Sequence, residues 1–488
     1  MQLRELLSKI QLTCPMKDDI HLVTIDSRKT GPGVVYVACK GALSGSKDGH
    51  TFIPEVIANG VSALIIENPA FLRTYSVPTF LVPDSRIAVA KLAEALYQNP
   101  SSALEIYGVT GTNGKTTVTF LTAAIAEEFQ KKNAVLGTLG YGHKDHLNYF
   151  GMTTPEAETL SSILSELKKE NFTHVAMEVS SHALALHRVD GISFKAAAFT
   201  NLSVDHLDFH GNLEEYRKAK ERFFLDLLPA SSPAILPKNN PLTAELQERN
   251  HIVYTWGEEP DCMIRAESVS CSTEGLQFTL CIQDQKHEVR SSLLGHFNID
   301  NMLCAAGLGK AMGAPLEVIA KGLSNASAPK GRLERVLSSS PHSPTVLVDF
   351  AHTPDALKQT LETLLAVPHA RLIVVFGCGG DRDKTKRPQM GQIVASLADV
   401  AIVTSDNPRH ENPGDILKEI EKGIPPSSRY QMIENREEAI YEAIQLANSE
   451  DIVLIAGKGH ETYQEIGDEK RPFNDADIAK SVLEDLSK

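Results

Sequence analysis

Apolar runs of strand length alternate with helix-like segments along most of the chain, and this alternation constrains the fold more than any other feature. From residue 331 onwards, four such runs each end in a polar loop that often carries glycine: TVLVD, RLIVVFG, DVAIVT and DIVLIAG. Strands that alternate with helices form mostly parallel sheets. Such sheets bind ligands outside the carboxyl ends of their strands. We therefore expect four loops to meet at one crevice: 349–355, 377–383, 406–410 and 457–461.

The chain has room for about three domains of roughly 150 residues each, because it is 488 residues long. Residues 1–100 carry short strand-like runs, GVVYVAC, SALIIE and TFLV, and one helix-like segment. Residues 101–330 alternate strands and helices, except that residues 262–294 have the two-residue alternation of antiparallel hairpins. We predict an α/β protein with a small N-terminal α/β domain (1–100), a central phosphate-loop domain with a mostly parallel sheet (101–330) and a C-terminal Rossmann-like sheet (331–488).

Composition limits the binding partners and the cellular location that we expect for the chain. The formal net charge of −14 argues against nucleic acid as the main partner. The N-terminus lacks the basic and apolar regions of a secretory signal, and the chain has no apolar run of about 18 residues, so we expect no membrane insertion. Seven dispersed cysteines without a C-x-x-C pair favour reduced thiols in the cytoplasm and argue against a zinc site.

The segment GVTGTNGKTT lies between a strand-like run and a helix-like run, which is the context that a phosphate-binding loop requires. Backbone N–H groups at the start of such a helix can surround phosphate. Lys115 would add a positive charge, and Thr116 could offer its hydroxyl to Mg²⁺. Val109 stands where the full Walker pattern has its first glycine, and an ordinary glycine-rich turn is the alternative. The predicted ATP contacts here are Gly111, Thr112, Asn113, Gly114, Lys115, Thr116 and Thr117.

Carboxylate, imidazole and lysine side chains follow the next strands of the same predicted sheet. Glu178 lies in AMEVSSH at the carboxyl end of a strand-like run, His206 lies in NLSVDHLDFHG, and Lys218 and Lys220 lie in the helix-like segment EEYRKAKERFF. Carboxylates are typical ligands of Mg²⁺, and an imidazole is an acceptable one. We interpret the cluster as a metal site, with a purely structural role for each residue as the alternative.

Eight motifs occur in an order that resembles the Mur ligase family over almost the whole chain: TGTNGKTT, MEVSSHAL, TNLSVDHLDFHG, YRKAK, GHFNIDNMLCAA, GRLE, VDFAHTPDAL and AGKGHE. The resemblance implies an ATP-dependent amide ligase. In this reaction a substrate carboxylate becomes an acyl phosphate, and an amine then displaces the phosphate. It also implies that the partners are small-molecule substrates and that the protein is a monomer.

The resemblance implies a role for each of several individual residues. It implies catalytic roles for Lys115, Glu178, His206 and Lys220. It implies Mg²⁺ binding by Thr116, Glu178, His206 and Lys220, the last as N6-carboxylysine formed with CO₂. Further ATP contacts would be Asn301, Arg332, Asp349 and His352. Contacts to the UDP-muramyl dipeptide would be Ser27, Thr153, Thr154, Ser180 and Arg188. Met152 and Leu186 stand where some relatives carry amide side chains, and neither is assigned a role.

The stretch TSDNPRHENP resembles the motif of family members that add meso-2,6-diaminopimelate. This amino acid is lysine with a second carboxylate on the far carbon. A guanidinium such as that of Arg409 can bind a carboxylate through two parallel hydrogen bonds. Lysine would leave the guanidinium unpaired, at a cost of about 1–3 kcal/mol. The predicted diaminopimelate contacts are Arg382, Asp406, Asn407, Pro408, Arg409, Gly457 and Glu461, and a surface turn with a salt-bridged arginine is the alternative.

The resemblance implies that the chain adds meso-diaminopimelate to UDP-N-acetylmuramoyl-L-Ala-D-Glu. Three other functions compete with this prediction. A folylpolyglutamate synthetase would usually have Gly-Ser after the loop lysine, where this chain has Thr116 and Thr117. A nucleotide-binding switch or kinase would need no amino-acid pocket. A dinucleotide-binding oxidoreductase would need a G-x-G-x-x-G motif, which GCGGDRD does not supply.

Overall fold

A computed structural model describes residues 1–41, 46–338, 340 and 342–486. The described chain divides into two compact units. The first unit comprises Met1–Arg265, Cys281–Lys286 and Asn301–Gly322, and the second comprises Ala266–Leu280, His287–Asp300 and Leu323–Lys488. The predicted division into three domains is finer than this one and stays a prediction.

The N-terminal part of the first unit is built on a small parallel sheet. Its strands are β1 (Leu22–Thr24), β2 (Val34–Ala38), β3 (Ala63–Ile66) and β4 (Thr79–Leu81), and its helices are α1 (Leu3–Ser8), α2 (Ile53–Ala58) and α3 (Ser85–Leu96). The strands are ordered β1-β2-β3-β4 and pair in parallel. Every residue of β2 and β3 is buried, as expected for parallel strands covered on both faces.

A larger sheet contains the strands that follow. They are β5 (Glu105–Thr110), β6 (Asn133–Gly137), β7 (Gly140–His143), β8 (His146–Asn148), β9 (His174–Glu178), β10 (Ala196–Phe199), β11 (Ala234–Pro237), β12 (Val253–Gly257), β13 (Ile264–Ser272), β14 (Gly275–Ile282) and β15 (Gln285–Ser291). The helices of this region are α4 (Lys115–Glu128), α5 (Ala157–Lys169), α6 (Ser181–Ala185), α7 (Leu207–His210), α8 (Leu213–Arg222), α9 (Leu242–Glu248), α10 (Phe297–Ala311) and α11 (Leu316–Asn325). The strand order is β15-β14-β13-β12-β11-β10-β5-β9-β6-β7-β8.

The centre of this sheet places the predicted site residues at one edge. Strands β11, β10, β5, β9 and β6 pair in parallel, so their carboxyl ends point the same way. Burial of Ile106, Val175, Met177 and Phe199 helps form the core beneath them. The phosphate loop follows β5, and Glu178 is the last residue of β9.

The second unit contains a sheet of Rossmann type. Its strands are β16 (Glu334–Val336), β17 (Thr345–Asp349), β18 (Leu372–Phe376), β19 (Val400–Val403), β20 (Tyr430–Met432) and β21 (Ile452–Ala456), followed by the hairpin of β22 (Tyr463–Ile466) and β23 (Glu469–Pro472). Its helices are α12 (Pro354–Leu365), α13 (Lys386–Leu397), α14 (Pro413–Glu421), α15 (Arg436–Leu446) and α16 (Asp475–Leu486). The order is β16-β17-β21-β18-β19-β20, with only β16 antiparallel to its neighbour among the described residues. This topology confirms the predicted α/β class and brings four polar loops to one sheet edge.

Candidate active site

The phosphate loop joins β5 to α4 and is shaped by two glycines. Gly111 has a φ of 144° and Gly114 a φ of 84°, both unfavourable for residues with a side chain. A Cβ at Gly111 would overlap Thr200 Oγ1, and a Cβ at Gly114 would overlap Asn301 Oδ1. The backbone therefore packs closely against neighbouring strand and helix ends, as a loop that surrounds a ligand must.

Two lysine ammonium groups converge on one carbonyl of this loop. Lys115 Nζ donates to the carbonyl oxygens of Gly111 at 3.0 Å and Thr112 at 2.9 Å. Lys220 Nζ, from α8, donates to the same Gly111 oxygen at 2.8 Å. Burial, together with the charge of Lys115, holds the pKa of Lys220 well below its ordinary value. The positive charge of Lys115 favours an anionic ligand at the loop, whereas burial favours the neutral amine of Lys220.

Glu178 is 1% exposed, and its carboxylate is held by neighbours on two segments. Its Oε1 accepts hydrogen bonds from Thr116 Oγ1 at 3.0 Å and from the backbone N–H of Thr138 at 2.9 Å. Thr138 Oγ1 donates to Oε2 at 3.1 Å. The structure thus places the predicted loop hydroxyl beside the predicted carboxylate.

The helical segment after β10 brings imidazole and phenol groups to the same place. His206 has a left-handed φ of 51°, and its ring centroid lies 6.1 Å from that of Tyr216. Tyr216 Oη lies 3.1 Å from Thr112 Oγ1, and Lys220 Nζ lies 4.4 Å from the centre of the Tyr216 ring. Tyr216 therefore connects the lysine to the phosphate loop.

The predicted muramyl contacts form a second group around the end of β9. Thr154 Oγ1 donates to the Glu178 carbonyl at 2.9 Å and accepts from the Ser180 N–H at 3.1 Å. Arg188 donates to the Thr154 carbonyl at 3.0 Å and pairs with Glu156 at 2.5 Å. Its buried Nε has no hydrogen-bond partner among the described residues. Arg188 therefore keeps one donor for a ligand.

These groups surround one cavity of about 210 Å³ in the first unit. It is lined by Lys115, Met152, Thr153, Thr154, Ser180, Ser181, His182, Arg188, His206, Tyr216 and Lys220. Ser27 is not among the lining residues and begins a short 3₁₀ helix, Ser27–Lys29, in the N-terminal part. The cavity thus unites residues that the sequence analysis assigned separately to ATP, metal and muramyl dipeptide.

In the second unit, three of the four remaining predicted ATP contacts gather at the end of β17. Asp349 accepts hydrogen bonds from the N–H groups of Leu333 at 2.8 Å and Ala351 at 2.9 Å. Burial raises the pKa of the Asp349 carboxyl. The Arg332 guanidinium lies 5.3 Å from the centre of the Phe350 ring, and the Phe350 carbonyl lies 2.8 Å from His352 Nδ1. Asn301 lies in the first unit, on α10.

The loop after β19 and the loop after β21 share a hydrogen-bond network. Asn407 Nδ2 donates to Glu461 Oε2 at 2.8 Å. The Nζ of Lys458, which is fully buried, donates to Asn407 Oδ1 and to Glu461 Oε2, each at 2.9 Å. The Gly457 N–H donates to the Asp349 carbonyl at 3.0 Å. Lys458 therefore fixes both the amide orientation of Asn407 and the position of the Glu461 carboxylate.

Arg409 has a partner within the chain. Its Nε donates to Glu465 Oε2 at 2.8 Å, and its NH1 donates to the Gly380 carbonyl at 2.8 Å. This salt bridge is the feature that the alternative interpretation of the stretch required. Arg382 is exposed on the adjacent loop, and Pro408 is buried. The structure thus brings the predicted pocket residues to one edge of the sheet. It also pairs Arg409 with the carboxylate of Glu465 from the same chain.

Comparison with known proteins identifies the family. Three family descriptions match: Mur ligase family, catalytic domain, at residues 19–101; Mur ligase middle domain at 109–309; and Mur ligase, glutamate ligase domain, at 331–459. The UDP-N-acetylmuramoyl-L-alanyl-D-glutamate–2,6-diaminopimelate ligase of Halalkalibacterium halodurans is 41% identical over 96% of this chain and 95% of its own length. The chain belongs to the Mur ligase family.

Other proteins that are similar to this Mur ligase carry the same ligase name. The ligase of the same name from Caldanaerobacter subterraneus subsp. tengcongensis is 41% identical over 96% of both chains. A solved structure with that ligase name superposes with a TM-score of 0.74 at 32% identity, covering 100% of this chain and 99% of the other. Family membership confirms the predicted enzyme class, an ATP-dependent ligase that forms a carbon–nitrogen bond. No helix in the described part of this Mur ligase is long and apolar enough to cross a membrane.

The donor set of the first unit fits Mg²⁺ in part. The Thr116 hydroxyl and the Glu178 carboxylate are adjacent oxygen donors of the kind that Mg²⁺ prefers. The described residues contain no group of three or more His, Cys, Asp or Glu side chains arranged to hold a metal. Lys220 as an ammonium would repel a cation and fits such a site only after it becomes an anion. The fit of this Mur ligase to Mg²⁺ therefore depends on the chemical state of Lys220.

Sequence reasoning missed several residues that hold the site. In the first unit these are Thr138, Thr200 and Tyr216, and in the second they are Lys458 and Glu465. Lys458 lies inside the quoted motif AGKGHE, so a lysine between two strand-end glycines was a usable signal in the sequence. Glu465 lies on a separate hairpin, and no pattern in this Mur ligase links it to Arg409.

Proposed function

We propose that this protein is the ligase that adds meso-2,6-diaminopimelate to the D-glutamate of UDP-N-acetylmuramoyl-L-Ala-D-Glu, in the synthesis of peptidoglycan precursors. The observation that carries the proposal is that the loop of Arg409 is hydrogen-bonded to Glu461 through Asn407 at the sheet edge. A guanidinium suits the distal carboxylate of the amino acid, and a carboxylate suits its ammonium. The names of relatives that match nearly the full length of the chain support the same substrate.

The residues of the first unit suit the activation step. The γ-phosphoryl group of ATP passes to the side-chain carboxylate of the substrate, which gives an acyl phosphate and ADP. Lys115 and the loop N–H groups neutralise charge on the transferring phosphoryl group. Lys115 now donates to the carbonyls of Gly111 and Thr112, so it must exchange these bonds for phosphate oxygens when ATP binds. The amine of the incoming amino acid then attacks the acyl carbon, and phosphate leaves.

We propose that Mg²⁺ is held by Thr116, Glu178, His206 and Lys220, with Lys220 carbamylated by CO₂. Bound Mg²⁺ would neutralise charge on the phosphate oxygens. Only the neutral amine of a lysine reacts with CO₂, and the low pKa of buried Lys220 increases the neutral fraction. The carbamate is an anion, which removes the repulsion between Lys220 and a cation.

We also propose substrate contacts for the remaining predicted residues. The UDP-muramyl dipeptide would contact Ser27, Thr153, Thr154, Ser180 and Arg188, and the unpaired Nε of Arg188 supports this assignment. ATP would also contact Asn301, Arg332, Asp349 and His352. The seven cysteines form no disulfide among the described residues, which supports a cytoplasmic location. The monomeric state stays a prediction.

The deciding experiment measures phosphate release with ATP, Mg²⁺ and UDP-N-acetylmuramoyl-L-Ala-D-Glu, with meso-diaminopimelate or L-lysine as the amine. We expect release and a tripeptide product only with diaminopimelate. In R409A the preference for diaminopimelate should fall by about 10²-fold or more, because discrimination depends on pairing the guanidinium. Equal use of lysine by the wild-type protein would refute the substrate assignment, and release without any amine dependence would refute the ligase assignment.

A further inference from the structure

The segment that carries Arg409 is attached to the β22–β23 hairpin by its backbone. The Arg409 N–H donates to the Glu465 carbonyl at 3.0 Å, and the Gly467 N–H donates to the Arg409 carbonyl at 2.8 Å. The Glu465 N–H donates to Asn407 Oδ1 at 2.9 Å, and Gln464 Nε2 donates to the Asp406 carbonyl at 2.6 Å. The hairpin therefore fixes where the loop after β19 lies.

Arg409 has a backbone conformation that needs such support. Its φ is 48°, in the left-handed region that residues with a side chain seldom adopt. Such conformations persist where the surroundings hold them, and they concentrate at functional sites. The two backbone bonds to the hairpin hold this one, so the direction in which the Arg409 side chain leaves the backbone is set by the hairpin.

The guanidinium itself is held on one edge. A guanidinium has five N–H donors. In Arg409 the Nε donor contacts Glu465, and one NH1 donor contacts the Gly380 carbonyl. Among the described residues no further hydrogen bond of this guanidinium is observed, so both NH2 donors and one NH1 donor remain for a ligand. The terminal edge of the guanidinium, formed by NH1 and NH2, can still donate two parallel hydrogen bonds to a carboxylate.

The Glu465 carboxylate is itself held in place. Its second oxygen, Oε1, lies 3.4 Å from Lys470 Nζ, on the other strand of the hairpin. The side chains of Arg409 and Glu465 are 21% and 22% exposed, so their salt bridge is partly shielded from water. A partly shielded, charge-assisted hydrogen bond fixes geometry better than one on the open surface.

We propose that Glu465 is a positioning residue for amino-acid selection. It holds the Nε edge of Arg409 so that the terminal edge faces the second carboxylate of meso-diaminopimelate. This inference rests on the proposed function and extends it to a residue outside the diaminopimelate motif. The opposite role would be competition, in which Glu465 occupies the guanidinium in place of the substrate carboxylate. Because Glu465 bonds to Nε alone, a carboxylate on the terminal edge need not displace it.

The test compares E465Q with E469Q in steady-state kinetics, after the wild-type protein has been assayed with meso-diaminopimelate. Glutamine keeps the shape of Glu465 but loses the charge that orients the guanidinium. We expect the KM for diaminopimelate to rise about 10-fold, the equivalent of one charge-assisted hydrogen bond. The KM values for ATP and for the muramyl dipeptide should not change. Glu469 lies on the same hairpin, is exposed and pairs with Arg471, so E469Q should match the wild type.

A double-mutant cycle separates positioning from a general effect on folding. In R409A the guanidinium is absent, so adding E465Q should change the KM for diaminopimelate no further. A KM that falls in E465Q would indicate competition and overturn the proposal, as would an unchanged KM or additive effects in the cycle. If the wild-type protein does not use diaminopimelate, the proposed function and this inference both fall. If it does and E465Q keeps its KM, only this inference falls.

Discussion

At the scale of single residues, the chemical state of Lys220 decides whether the first unit can hold Mg²⁺. We expect K220A to lose about 10²–10³-fold in the rate of phosphate release, as when other charge-stabilising groups are removed. Incubation with ¹³C-bicarbonate should give the wild-type protein a carbamate carbon signal that K220A lacks. Lys218 provides the control, since it is exposed on the same helix and pairs with Glu215 at 3.0 Å. Full activity in K220A, or a carbamate signal that persists in it, would contradict the assignment.

At the scale of elements, a buried carboxylate joins α3 to two other segments. Glu94 accepts hydrogen bonds from the N–H of Ser101 at 2.8 Å, from the hydroxyl of Ser101, and from Ser161 Oγ on α5 at 3.1 Å. Burial raises the pKa of Glu94 above its ordinary value. Because the pKa of Glu94 is higher in the folded state than in the unfolded state, the folded state binds the proton more tightly. The free energy of unfolding therefore falls as pH rises through the folded-state pKa.

We therefore expect E94Q to be more stable than the wild type, with a difference that grows as pH rises from about 4 and levels off once the pH exceeds the raised pKa of folded Glu94. Glutamine can accept from Ser101 and donate to Ser161 without carrying a buried charge. The measurement is the midpoint of thermal unfolding at several pH values, with E55Q, an exposed position on α2, as the control. A difference that shrinks as pH rises would refute the argument.

At the scale of the whole molecule, each unit has a core of its own, and the single tryptophan reports on one of them. Trp256 is buried in β12, in the first unit. Arg436 and Asp475 form a fully buried pair between α15 and α16 of the second unit, with bonds of 2.8 and 2.7 Å. Removing one partner of such a pair leaves an uncompensated buried charge, at a cost of about 3–5 kcal/mol.

In the R436A variant, the second unit should therefore unfold at a lower urea concentration than the first unit. We expect far-UV circular dichroism to show an earlier transition, while the fluorescence midpoint of Trp256 stays where it is in the wild type. R471A, which breaks the exposed pair with Glu469, should move neither signal, because exposed pairs contribute about 0–1 kcal/mol. An equal shift of both signals in R436A would mean that the two units unfold as one cooperative body.

The sequence alone determined the features that depend on neighbours along the chain. The α/β class, the four strand-end loops of the second unit and the phosphate loop between β5 and α4 follow from short runs of residues. The burial of a parallel strand and the conformational freedom of Gly111 and Gly114 depend on the residue types at a few adjacent positions. The ordered motifs also identified the family, which the comparisons confirmed.

Only the tertiary structure decided which side chains meet across long intervals of the chain. Thr116 and Glu178 are 62 positions apart, Arg409 and Glu465 are 56 apart, and Gly111 and Lys220 are 109 apart. Lys220 is an ordinary helix lysine in the sequence, yet it is buried with a low pKa because α8 packs beside the phosphate loop. Arg409 could be predicted as a carboxylate-binding residue, but its salt bridge to Glu465 could not. Local patterns specify strands, turns and helices, whereas the charge environment of a side chain depends on elements that only folding brings together.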